Sequence, residues 1–381
     1  MGNSTVRDRV SLASRWLGLA LLVFLFLFSI DLMGASLRML GGQIAEAILN
    51  ATNNPVVGLF MGILATSLVQ SSSATTVTVV TMTAAGALTV RNAIPIVMGA
   101  NIGTTITNIL VSLVHVARRE EFNRAFGGAI VHDVFNLLAV AVLLPLELAT
   151  RFIERTALGL TVFLEDAGGV RIANPIKLIV RPLTEIVKRS LVEGANLAER
   201  LSGVLLLILG AVLLFSSLYF IVRLIRSLVI GTFEGFLNKR GFVSAGFFFL
   251  TGLVLTAIVQ SSSITTSLVV PLIGAGVLTV ERVYPYMLGA NIGTTVTALF
   301  GSLATLAPGS TQGLTVALTH LVFNVSGVCI FYPLRFIPIS LAKALGERAA
   351  DSKLFALLYL LVIFFLIPLV VLLLQKCVLG R

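Results

Sequence analysis

Two stretches decide the fold: Val69-Gln70-Ser71-Ser72-Ser73-Ala74-Thr75-Thr76 and Val259-Gln260-Ser261-Ser262-Ser263-Ile264-Thr265-Thr266. Sliding the chain by 190 residues lays Gly62–Leu113 on Gly252–Leu303 without a gap, and 27 of the 52 positions are identical. A solenoid repeats every 20 to 50 residues or so in several copies. Here one long unit occurs twice. Each copy runs through a stretch with almost no charge: residues 56–90 are 35 positions without one ionisable side chain. A polar Gln-Ser-Ser-Ser therefore sits in the middle of a segment that water rejects.

The rest of the chain has the same character. Apolar residues make up 57% of the 381 and charged residues 12%, about half the charged share of a soluble domain, roughly 25%. Apolar stretches at 17–33, 56–90, 93–114, 129–148, 204–221, 242–280, 283–307, 314–331 and 354–374 are close to or longer than the ~20 residues that cross a bilayer as helix. The first follows Arg7, Arg9 and Arg15 but lacks an Ala-x-Ala-like site, so it reads as a retained helix. The net charge of 27 − 17 = +10 marks topology rather than nucleic-acid binding. Arg7, Arg9 and Arg15 share the cytoplasmic side with Arg118, Arg119, Arg124, Lys239 and Arg240. Eight Lys or Arg between Thr150 and Leu201 run against that count. Cys329 and Cys377 alone imply no disulfide framework.

Residues 56–90 are too long for one crossing and poorly sized for two. A re-entrant hairpin fits, each leg of about 15 residues reaching ~22 Å of the ~30 Å core. Gln70–Ser73 then forms the tip, and Gln260–Ser263 its copy. Gly99 and Gly103, flanking Asn101, and their copies Gly289 and Gly293 read as breaks in a spanning helix, tolerated only where backbone is buried or lines a polar cavity. Each half thus has three crossings and one hairpin, an odd number that inverts the second half. The expected fold is an all-α polytopic membrane protein of two inverted-topology repeats, each with a re-entrant hairpin and a broken helix, plus a final helix. The divisions are 1–150, first repeat; 151–200, connecting segment; 201–335, second repeat; 336–381, C-terminal segment.

A hairpin tip and a helix break each start a helix, near Ser72 or Ser73 and near Gly103 or Thr104, and again in the second half. Four N-termini at roughly half a positive charge each sum to about +2, which suits a divalent oxyanion. The candidate anion ligands are Gln70, Ser71, Ser72, Ser73, Thr104 and Thr105, with Gln260, Ser261, Ser262, Ser263, Thr294 and Thr295. Neither hairpin stretch, 56–90 or 242–280, carries a Lys or Arg, so no arginine clamp is expected on them. Carbonyls at the opposite helix ends, with side-chain oxygens, suit sodium. Thr75, Thr265, Asn101 and Asn291 are candidates. Asp133 lies inside an apolar stretch, where an isolated carboxylate needs a cation. At an offset of 188, His132-Asp-Val-Phe-Asn136 matches His320-Leu-Val-Phe-Asn324. Asp133 thus faces Leu321 while Asn136 matches Asn324, which makes Asp133 and Asn136 an asymmetric sodium site with Asn324 as the copy. The bland alternative pairs Asp133 with His132 or Arg124, or makes it a helix cap.

These motifs, with Ala93–Thr105, Glu121–Phe126 and Val280–Pro285 in order, resemble the type II sodium-dependent phosphate cotransporter family from about Asn54 to Pro333. The resemblance implies sodium-driven uptake of inorganic phosphate, with both Gln-Ser-Ser-Ser hairpins forming the substrate and ion region. It implies that Asp133 accompanies electrogenic transport of HPO4(2−) with three sodium ions. Animal members carry a large disulfide-bearing loop between the halves. The shorter, cysteine-free loop here suggests a bacterial homologue in the inner membrane. Those members also have Gln and Asp in the stretch corresponding to His115 and Arg118, so ion ligands there do not carry over. The expected partners are phosphate, sodium and lipid, with no nucleic acid and no cofactor beyond the coupling ion. Rival readings are an ion channel, a transporter of another oxyanion, and an intramembrane serine hydrolase using His132 or His320 as base. A hydrolase has no reason to duplicate its nucleophile.

Overall fold

The computed structural model describes residues 2–40, 42–168, 175–195, 197–239, 244–306 and 311–379. Arg240 and parts of the connecting segment, 169–174 and 196, lie outside the described residues. The first half contains α1 Gly2–Leu40, α2 Gly42–Thr52, α3 Pro55–Val69, α4 Ser72–Ala84, α5 Val90–Thr104, α6 Ile106–Ser112 and α7 Arg119–Thr150. Helices α8 Phe152–Gly168 and α9 Pro175–Arg189 follow. The second half contains α10 Glu199–Lys239, α11 Ala245–Val259, α12 Ser262–Ser267, α13 Val270–Gly274, α14 Val280–Thr305 and α15 Gln312–Phe331. Last come α16 Phe336–Asp351, α17 Lys353–Leu361 and α18 Ile367–Leu379. Among the described residues seven helical segments are long and apolar enough to cross a membrane, on α1, α5–α6, α7, α10, α14, α15 and α17–α18, and the pair α2–α3, bent by 102°, would make an eighth if it is one span. The protein is an all-α polytopic membrane protein.

The two hairpins have legs too short to cross. Asn54 caps α3, accepting from Val56 N, with Pro55 at the first helical position, where its missing N–H is no loss. The helix ends at Gln70 with φ 57°, in the left-handed region, and Ser71 then caps α4 by accepting from Ala74 N. Gln260 (φ 56°) and Ser261, which accepts from Ile264 N, repeat that turn between α11 and α12. In each hairpin a threonine pair ties the legs: Thr66 donates to Thr75 at 3.0 Å, and Thr256 meets Thr265 at 2.7 Å. The second hairpin's outgoing leg is interrupted at Leu268–Val269 before α13. Pro271, where the first copy has Thr81, has no N–H to give the preceding turn.

The broken spanning helix does not occur as expected. Helix α14 is continuous over 26 residues, and in the first half the only interruption is a single residue, Thr105, between α5 and α6. The glycines read as breaks serve close packing instead. A Cβ built on Gly99 would stand 1.9 Å from Leu59 O, and one on Gly103 2.7 Å from Ile63 O. Their copies Gly289 and Gly293 would meet Phe249 O at 2.0 Å and Leu253 O at 2.5 Å. Gly62 and Gly252 face back from the hairpins at 2.0 Å from Ile96 O and 2.1 Å from Tyr286 O. Small residues spaced by four let two helix backbones touch where lipid supplies no hydrophobic drive. Each hairpin's first leg is thereby clamped onto the spanning helix that follows it, α3 on α5 and α11 on α14.

The halves also cross over. Helix α8 packs on α15, while α16, which follows α15 as α8 follows α7, packs on α7. The main core cluster is drawn from both halves, with Phe122, Phe126, Phe135, Tyr284, Tyr286 and Phe323 among its largest fully buried side chains.

Candidate functional site

Both tips open on one cavity of about 670 Å³. Gln70, Ser71 and Ser73 line it from one hairpin and Gln260, Ser261 and Ser263 from the other. Ser73 Oγ bridges the tips, donating to Gln260 O at 3.0 Å, while Ser263 Oγ reaches Thr104 O at 3.4 Å. Ser72 and Ser262 are buried at the first helical positions and do not line the cavity. Because the caps spend their oxygens on Ala74 N and Ile264 N, the N–H groups of Ser72, Ser73, Ser262 and Ser263 belong to first turns that have no intrahelical acceptor.

The electrostatics differ from the four-terminus expectation. With α14 unbroken and α5 interrupted only at Thr105, the glycine sites supply no N-termini, so two remain, α4 at Ser72 and α12 at Ser262. At roughly half a charge each they sum to about +1, less for the six-residue α12. Arg223 of α10 supplies the rest. It lines the same cavity beside Phe215, Leu218, Tyr219 and Val222, and among the described residues no carboxylate pairs with it. Nothing local in the sequence pointed to Arg223, which stands 37 positions before Gln260 on a helix that reads as lipid-facing.

Thr104, Thr105, Thr294 and Thr295 turn back on their own helices, donating to Ala100 O, Ile102 O, Ala290 O and Ile292 O at 2.7 to 3.0 Å. Thr75 and Thr265 also donate to Ser71 O and Ser261 O, each at 3.1 Å, holding the carbonyl of each cap.

The four asparagines meet in one buried network that is symmetric between the halves. Asn101 Nδ2 donates to Asn324 Oδ1 at 3.1 Å, and Asn291 Nδ2 to Asn136 Oδ1 at 2.7 Å. Asn136 and Asn324 return the exchange to Asn101 O and Asn291 O at 3.1 and 3.3 Å. His132 Nε2 lies 2.6 Å from Asn291 Oδ1, and His320 Nε2 3.0 Å from Asn101 Oδ1. Every one of these contacts but the two carbonyl bonds joins one half to the other. Neither histidine contacts a tip serine, so the nucleophile–base pair of a hydrolase is not formed.

Asp133, one turn before Asn136 on α7, makes no hydrogen bond to the asparagines. It is fully buried, with Oδ1 accepting from Thr105 Oγ1 at 2.8 Å and Oδ2 from the Tyr359 hydroxyl at 2.5 Å. Neither suggested partner pairs with it: Arg124 Nε donates to Gly274 O at 3.0 Å, and His132 serves Asn291 and Asn108. The carboxyl is thus held by two neutral donors, one from the C-terminal α17.

Apolar crossings around a cavity where two polar hairpin tips converge, one from each repeat, define the class: a polytopic membrane protein with a polar site at its repeat interface. Residues 25–164 and 213–337 match the sequence profile of the Na+/Pi-cotransporter family, and the chain belongs to that family. It is 35% identical over 441 aligned residues to sodium-dependent phosphate transport protein 2B of Homo sapiens, covering 92% of this chain and 64% of the relative. To sodium-dependent phosphate transport protein 2A of Rattus norvegicus it is 36% identical over 415 residues, covering 91% and 65%. The chain therefore spans a little under two thirds of the length of these relatives. No solved structure matches it.

Proposed function

We propose that the protein is a secondary active transporter that takes up inorganic phosphate, as HPO4(2−), coupled to sodium. The convergence of Gln70–Ser73 and Gln260–Ser263 on one cavity carries this reading, and the printed names of the relatives agree with it. Phosphate oxygens take the first-turn N–H groups of α4 and α12 and the hydroxyls of Ser71 and Ser261, while Ser73 and Ser263 exchange their carbonyl acceptors, Gln260 O and Thr104 O, for the anion and Gln70 and Gln260 close over it. Two helix N-termini and Arg223 balance a dianion without a metal. Sodium is carried at Asp133, where Thr105 supplies a second oxygen, and among Asn101, Asn136, Asn291 and Asn324 at the centre. The repeats 1–150 and 201–335 are inverted and alternate the access of the cavity, in the inner membrane of a bacterium.

Radiolabelled phosphate uptake into proteoliposomes tests this. Saturable uptake that collapses when choline replaces sodium is expected. Sodium-independent uptake would remove the coupling, and conductance far above transporter turnover would replace the carrier by a channel.

A further inference from the structure

The repeat network contains one unmatched position with a chemical consequence. In the first half the Asn108 carboxamide joins two buried side chains: its Nδ2 lies 3.4 Å from His132 Nδ1, and its Oδ1 accepts from Thr266 Oγ1 at 2.9 Å. The residue 190 positions later is Ala298, fully buried. The same shift relates Thr266 to Thr76, and the 188-residue shift relates His132 to His320. The two atoms that a carboxamide at position 298 would serve, Thr76 Oγ1 and His320 Nδ1, are both buried without a hydrogen-bond partner. Thr107 and Thr297 supply an internal comparison. They match each other across the repeat, and both hydroxyls are unpartnered, so that feature is common to the halves. The orphans at Thr76 and His320 occur only where the asparagine is missing.

The polarity of the orphans follows from their neighbours. Asn101 Nδ2 donates to Asn324, so the atom facing His320 Nε2 is the Asn101 oxygen. An oxygen acceptor requires Nε2–H, which leaves Nδ1 as a bare lone pair. Thr76 offers a hydroxyl that can both donate and accept. Ala298 packs in one cluster with Val79 and Val80 of α4, Ala93 and Val97 of α5, and Val316 and Ala317 of α15. No Asp or Glu occurs on α4, α5 or α15, and the one on α14, Glu281 in its first turn, pairs with Lys343. A cation here would be an uncompensated charge in a low dielectric. A water molecule is neutral, gives and takes hydrogen bonds, and loses at most about 2 kcal/mol of entropy on being held.

We propose that a single buried water binds beside Ala298, donating to His320 Nδ1 and accepting from Thr76 Oγ1, as the Asn108 carboxamide does in the other half. Each half then holds the other half's hairpin by a different means: a side chain between α12 and the first-half helices α6 and α7, and an exchangeable water between α4 and the second-half helices α14 and α15. This inference rests on the hydrogen-bond inventory and is independent of what the protein transports.

The test is a density map of the full chain, at a resolution that shows ordered water, from matched samples in sodium and in choline. A peak within hydrogen-bond distance of both Thr76 Oγ1 and His320 Nδ1, present in both buffers and without a counterpart at Asn108, is expected. No peak overturns the proposal, and so does a peak that disappears without sodium, which would make the site a cation site. Ala298→Asn supplies a second reading by putting the carboxamide where the water sits. In its map the peak should be gone, with the new side chain contacting both orphans. A peak that persists beside the introduced carboxamide would overturn the assignment, because the water would then serve other atoms.

Discussion

Asp133→Gly separates the coupling ion from the substrate. The side chain is fully buried and accepts from Thr105 and Tyr359 only, so its removal deletes one formal negative charge and strands the Tyr359 hydroxyl, while Thr105 keeps Ile102 O as acceptor. If HPO4(2−) moves with three sodium ions, one net positive charge enters per cycle. One charge across 100 mV is worth about 2.3 kcal/mol. At about 1.4 kcal/mol per tenfold, inside-negative potential should raise the equilibrium phosphate gradient roughly 50-fold per 100 mV. A variant that has lost one sodium moves no net charge and should accumulate phosphate independently of potential. The structural burden is separate: the stranded buried donor costs about 1–3 kcal/mol, and glycine in a helix about 1. Asp133→Asn keeps an acceptor oxygen without the charge and serves as the folding control. The assay is phosphate accumulation in proteoliposomes whose potential is set by a potassium gradient and valinomycin. A folded Asp133→Gly protein that still follows potential with the wild-type slope would refute the assignment of the coupling charge to Asp133.

Other sites give sharp expectations. Gly99→Ala places a Cβ 1.9 Å from Leu59 O, so α3 and α5 must part by more than 1 Å. Thermal unfolding in detergent should show a loss of about 1–3 kcal/mol or more, whereas Gly246→Ala, which meets nothing within 4 Å, should not. Gln70→Gly relieves a left-handed non-glycine residue (φ 57°), worth about 1–2 kcal/mol. Its unfolding midpoint should hold or rise while phosphate uptake falls, and unimpaired uptake would mean that the Gln70 side chain has no part in binding. Arg223→Ala should raise the KM for phosphate about tenfold, the worth of one charge-assisted contact. Arg223→Lys should recover part of that, and an unchanged KM would remove Arg223 from the site.

The family, the all-α membrane architecture, and the Gln-Ser-Ser-Ser turns between short helices were legible in the chain because each rests on local chemistry or on identity between the copies. Hydrocarbon admits only long apolar helices, a serine run after an apolar leg makes a turn and a cap, and a gapless 190-residue shift exposes duplication. The glycines were misread because glycine serves both to break a helix and to admit another, and only the carbonyls of Leu59 and Phe249 decide between those uses. The cavity charge, the pairing of Asp133 with Thr105, and the reach of Tyr359 from α17 were settled by tertiary structure alone. Each is a meeting of groups from different helices. Such meetings depend on how helices pack and rotate against one another, which no period, cap or motif along a single helix records.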